Sequence, residues 1–134
     1  MNQLSQQLTC GTIGELLVQL RLLQYDVQAV SPHKDSGNDL LALRGECFRA
    51  IQVKTTKTEG PFSFSHTDIM GKHFHILALV RLVGDGRDIA LDNSAVYLLA
   101  RNEVTKGHFE DSELAPFEVS APRIDALFPT PVAA

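Results

Sequence analysis

The sequence predicts an α/β domain: a helix, three strands, a short helix, two further strands and a closing helical segment. Three patterns predict it. Leucines recur at helical spacing near the N-terminus, two alternating runs flank Arg44-Gly45-Glu46, and His75 to Leu82 is a mostly apolar strand. A chain of 134 residues is long enough for a core and short for two, so one domain over residues 1–134 is expected.

Leu8 to Gln24 carries Leu16, Leu17, Leu20 and Leu23 on one helical stripe, with Thr9 or Thr12 available to cap its start. Tyr25 to Val30 alternates like a strand, and Ser31 to Gly37 is a loop by its turn residues. Asp39 to Leu43 and Cys47 to Lys54 form a hairpin. Residues 58–65 read as a loop, Thr67 to Lys72 as a helical turn, Gly84-Asp85-Gly86 as a turn and Ala95 to Ala100 as a strand. Asn102 to Lys106 starts a short helix.

Composition bounds the class. An apolar fraction of 44% with 21% charged residues is that of a folded globular protein and argues against disorder. No apolar run reaches membrane-spanning length, and the polar, uncharged start Met1 to Gln7 is unlike a signal peptide, so a cytoplasmic protein with no membrane partner is expected. Cys10 and Cys47 lack the paired spacing of a zinc site and read as reduced thiols.

The chemistry concentrates between Gly37 and Thr56. Asp39 opens one apolar run, and Gln52-Val53-Lys54 closes the next; strand side chains alternate faces, so Gln52 and Lys54 point the same way. Phe48 and Ala50 share that face, which therefore begins apolar and ends polar. Lysine is almost never buried without a partner, so this placement holds Gln52 and Lys54 toward a pocket with Asp39 nearby, as a metal-dependent phosphodiesterase requires. Plainer readings stand beside it. Glu15 by position alone is a helix-surface carboxylate, Asp39 fits a turn after Gly37-Asn38, and Gln52 with Lys54 fits a solvated strand face.

The order of Gly11-Thr12-Ile13-Gly14-Glu15 on a helix, Gly37-Asn38-Asp39-Leu40-Leu41 at a strand start and Ile51-Gln52-Val53-Lys54-Thr55-Thr56 on the next strand resembles the PD-(D/E)XK nuclease superfamily. It looks most like small resolvase-like or homing-type endonucleases. The resemblance implies a restriction-endonuclease-like core, a central mixed β-sheet flanked by helices, and a Mg²⁺-dependent (or Mn²⁺-dependent) endodeoxyribonuclease acting on DNA. It also implies that Glu15, Asp39, Gln52 and Lys54 are catalytic, with Asp39 the main metal ligand and Gln52 and Glu15 beside it. Lys54 would orient the attacking water and offset transition-state charge. The family usually carries Asp or Glu where Gln52 stands; an amide oxygen can coordinate a metal but adds no charge, so metal affinity is weaker or Glu15 shares the load. The alternative is a nuclease-like domain that binds DNA or a protein partner without cutting. Cutting both strands would favour a homodimer.

Charge bears on DNA. The net −4 sits between Glu103 and Asp125, where six acids face Lys106 and Arg123, whereas Arg44, Arg49, Lys54 and Lys57 outnumber Glu46 around the suspected site. Lys57, Arg44, Arg49 and Lys72 are therefore candidate DNA contacts, with the acidic segment expected to face away from them; Arg44 and Arg49 also read as solvated strand edges. His66, His73 and His75 lie close to Asp68, but no zinc-binding pattern accompanies them, and they read as solvated or phosphate-facing.

Overall fold

The computed structural model describes residues 6–32, 39–57, 59–85 and 88–130. In chain order these form α1 (Gln6–Leu23), β1 (Gln28–Val30), β2 (Leu40–Arg44), β3 (Cys47–Thr56), β4 (Phe62–Ser63), α2 (His66–Met70), β5 (Ile76–Arg81), β6 (Gly84–Asp85) and β7 (Asp88–Ile89). Strands β8 (Ala95–Ala100) and β9 (His108–Phe109) and helices α3 (Asp111–Leu114) and α4 (Ala121–Leu127) follow. The main sheet has the order β1-β2-β3-β5-β8, with β3 and β5 parallel and the other neighbours antiparallel. It is a mixed sheet flanked by helices, the α/β core expected.

Alternation along the central strands sends apolar side chains to both faces. On one face Leu17, Val18 and Leu22 of α1 pack on Ile51, Val53, Ala78 and Leu98, and Ile124, Leu127 and Phe128 close that layer. On the other, Leu77, Leu79, Tyr97 and Leu99 pack against Phe62, Ile69, Phe74, Val104, Phe109 and Leu114. Among the described residues no helix is long and apolar enough to cross a membrane.

Several boundaries differ from the sequence reading. The helix is already formed at Gln6, so Thr9 and Thr12 lie within it and do not cap it. Its buried stripe is Leu17, Val18 and Leu22, while Leu16, Leu20 and Leu23 are 58%, 47% and 57% exposed. Both stripes are apolar, and the choice between them rests on Gly14. A Cβ there would stand 1.9 Å from Thr55 Oγ1, so the bare backbone lets α1 lie directly on β3. After the helix, Asp26 takes a left-handed φ of 63°, and the Asp26 and Val27 amides return to the carbonyls of Leu23 and Leu22. This C-terminal cap uses up Tyr25 and Asp26 and shortens the expected strand to three residues.

The loop expected over 58–65 contains β4, which pairs with β9. Gly84 and Asp85 pair with β7. The helix expected from Asn102 is a single 3₁₀ turn, Arg101–Glu103. The loop residues 33–37, together with Asn38 and Gly86, lie outside the described residues.

Candidate functional site

The antiparallel register sets Leu40 opposite Ile51, and the Asp39 amide donates to Ile51 O over 3.2 Å, so Asp39 faces Gln52 across the two strands. One carboxylate oxygen of Asp39, Oδ2, accepts from Gln52 Nε2 and from the Val53 backbone N–H, each at 2.8 Å. Asp39 is therefore a fixed, hydrogen-bonded carboxylate and more than a turn residue. Gln52 is only 4% exposed. Its amide nitrogen is used on Asp39, and its Oε1 is buried without a hydrogen-bond partner among the described residues.

Glu15 comes to this site through the close packing of its neighbour Gly14 on Thr55. Partial burial raises the Glu15 pKa above its ordinary value, and the nearby Asp39 charge raises it further. That second cause reports the two carboxylates sharing one electrostatic neighbourhood. Lys54 is two residues beyond Gln52 on the same face, about 6.6 Å along the strand. It lines a cleft of about 250 Å³ with Thr56, Pro61, Phe62, Ser63 and Phe64. Asp39 and Gln52 are thus joined directly across β2 and β3, with Lys54 one pleat further along the Gln52 face and Glu15 of α1 within electrostatic reach of Asp39.

The donor set suits a hard, oxygen-preferring cation. Among the described residues no three His, Cys, Asp or Glu side chains cluster as a metal site. Two carboxylates and the orphaned Gln52 Oε1 are the ligand types that Mg²⁺ or Mn²⁺ takes, and a buried acceptor without a partner gains from such a ligand.

The fold resembles that of PD-(D/E)XK-like nucleases and resolvases. A bacterial homing endonuclease superposes with a TM-score of 0.52 at 14% identity, covering 78% of this chain and 76% of that one. Hjc, a Holliday junction resolvase from the archaeal hyperthermophile Archaeoglobus fulgidus, superposes with a TM-score of 0.50 at 18% identity, covering 87% of this chain and 95% of its own. At such identities the likeness is one of fold. No protein-family model matches the chain, and no curated protein sequence does.

The basic residues divide. Lys57 follows β3 near α1, close enough to Cys10 for its charge to oppose the rise that burial causes in the thiol pKa. Lys72 is exposed beyond α2. Arg44 and Arg49 lie apart from the other two. Their strand positions share the face of Ala42 and Ile51, opposite Gln52 and Lys54. Arg44 Nη1 donates to Phe128 O and Arg49 Nε to Leu127 O, each at 2.9 Å, so these guanidinium groups hold the end of α4. The acidic segment is not wholly turned away from the basic one, since Asp125 pairs with Arg44 at 2.8 Å.

Sequence reasoning read His75 as solvated or phosphate-facing and missed its bond to the backbone. His75 Nδ1 accepts the Ala50 N–H over 2.8 Å, and its ring meets Phe48 edge to face. The available signal was its place one residue before an apolar strand, where a ladder starts and a backbone donor can be left over.

Proposed function

We propose that this chain is a Mg²⁺- or Mn²⁺-dependent endonuclease that hydrolyses DNA phosphodiester bonds, including those of branched or structured DNA. One observation carries the reading: the Gln52 amide bonds to Asp39 and leaves its oxygen buried without a hydrogen-bond partner among the described residues, while Glu15 lies within electrostatic reach of the same Asp39. The likeness in fold to a homing endonuclease and a Holliday junction resolvase supports the reaction class.

Asp39, Glu15 and Gln52 Oε1 would hold the cation. When bound, it supplies Lewis-acid stabilisation of phosphate charge and acidifies a coordinated water. The protein's own contribution is positional. The bonds from Gln52 Nε2 and Val53 N fix the Asp39 carboxylate before substrate arrives. The Lys54 ammonium, carried one pleat further along β3, donates to a phosphate oxygen or to the attacking water as negative charge builds on phosphorus. Lys57 adds positive charge at the end of the strand. Cutting both strands of a duplex would require two such sites, which favours a homodimer.

Incubation of supercoiled, branched and single-stranded DNA with the protein in Mg²⁺, Mn²⁺ or EDTA tests the proposal. Metal-dependent cleavage that disappears in Lys54→Ala is expected. Absence of cleavage on every substrate, with DNA binding retained, would replace it with the second reading, a binding domain of nuclease fold. That reading is favoured by one feature, the neutral side chain at position 52.

A further inference from the structure

The parallel ladder between β3 and β5 opens at Ile51 opposite Ile76 and is extended one step by the bond from His75 N–H to Ala50 O, 2.9 Å. The Ala50 N–H points to the same side, where β5 has not yet begun and no carbonyl stands. His75 Nδ1 takes that proton at 2.8 Å. A ring nitrogen that accepts carries no hydrogen, so in the neutral imidazole the N–H lies on Nε2, on the far side of the ring. His75 is exposed and lines a cleft of about 370 Å³ with Ala50, His73, Phe74 and Arg101. The backbone bond thus makes the side chain a donor of fixed direction.

The cleft is also positive. Arg101 Nη1 donates to Lys72 O over 2.7 Å, its Nη2 reaches Met70 O, and its guanidinium lies 4.5 Å from the centre of the Phe74 ring. These bonds occupy its donors without cancelling its charge, and they hold the Lys72 backbone beside the cleft. None of the lining residues is acidic. Ala50 lies on the same strand face as Gln52, one pleat away, about 6.6 Å.

We infer that this cleft is a phosphate subsite for the DNA backbone, in which a phosphate next to the scissile one accepts from His75 Nε2–H and pairs with Lys72. The inference rests on the endonuclease reading of the adjoining site.

Two substitutions separate the outward donor from the ladder cap. In His75→Asn the amide oxygen can stand where Nδ1 stands and keep the Ala50 bond, while the outward donor is lost. In His75→Gln the longer side chain carries an amide N–H to the Nε2 position. Binding of a labelled four-way junction and of its duplex arm is measured by fluorescence anisotropy against salt, with Ca²⁺ in place of Mg²⁺, alongside thermal melts. His75→Asn is expected to weaken binding roughly tenfold with an unchanged melting temperature and salt slope, since a neutral donor to an anion is lost. Lys72→Ala should reduce the slope of log affinity on log salt by about 0.9. If His75→Asn lowers the melting temperature, tighter binding by His75→Gln than by His75→Ala supports the subsite, and equal binding overturns it. Wild-type affinity in a stably folded His75→Asn overturns the subsite alone, leaving the endonuclease reading in place. A wild-type chain that binds neither DNA overturns both.

Discussion

Gln52 donates its amide to Asp39 Oδ2 over 2.8 Å, so the neutral residue at this position restrains the carboxylate it faces. A carboxylate in its place would meet Asp39 as a like charge, with Glu15 also nearby. Two unit charges 4 Å apart interact by about 4 kcal/mol at an effective dielectric constant of about 20. The amide therefore favours an assembled site without metal and forgoes part of the attraction for one.

Gln52→Glu should act in opposite directions on these two properties. The metal-free protein is expected to lose about 1–4 kcal/mol of stability, and the Mg²⁺ concentration for half-maximal cleavage should fall. Thermal melts in EDTA and in Mg²⁺, together with a metal titration of cleavage, measure both. An unchanged melt in EDTA would show that Glu at 52 does not feel Asp39.

Asp39→Asn keeps an oxygen that can accept from the Val53 N–H but removes the charge. Cleavage should fall by about 100-fold or more, with a stability cost of about 1–3 kcal/mol, because two donors lose an ionised acceptor. Asp39→Ala should be less stable again, since it leaves both donors without that acceptor. Undiminished cleavage by Asp39→Asn would remove the residue from the mechanism.

Gly14→Ala should destabilise the protein by about 1–3 kcal/mol by overpacking. The added methyl meets Thr55 Oγ1 at 1.9 Å and Thr55 Cβ at 2.8 Å, which outweighs a gain in helix propensity of about 1 kcal/mol. Mg²⁺ affinity by calorimetry should fall too, as Glu15 moves away with the helix. Thr55→Ala should rescue the double variant in part, because the Cβ contact remains. Wild-type melting of Gly14→Ala would show that the helix does not rest on β3 as closely as described.

Glu113 provides a pH test remote from the site. Its pKa is lowered, first by the hydrogen bond from the Glu110 N–H, 3.0 Å, and next by Lys106. A depressed folded-state pKa gives stability that is present above the ordinary glutamate value and is lost as pH falls through the lowered one. Glu113→Gln should therefore melt slightly below wild type at neutral pH, with the gap closing in acid below the ordinary range. A gap that persists unchanged into strong acid would mean that the carboxylate charge plays no part.

The amino-acid sequence by itself determined the elements whose periodicity is long: α1, the β2–β3 hairpin, β5 and β8. It also determined that Gln52 and Lys54 share a face, since alternation needs only the strand, and it placed Asp39 at a strand start. Tertiary structure decided what each side chain meets. The two-residue strands β4 and β9 exist only because they pair with each other, and two residues carry no periodicity. Arg44 and Arg49 looked like a basic flank of the site, but their partners lie 84 and 78 residues away at the end of α4, on the opposite face of the sheet. Which leucine stripe of α1 is buried, and hence where Glu15 stands, depended on Gly14 meeting Thr55. Local propensity acts over a few residues, whereas burial, ion pairing and backbone approach are set by chain segments that only folding brings together.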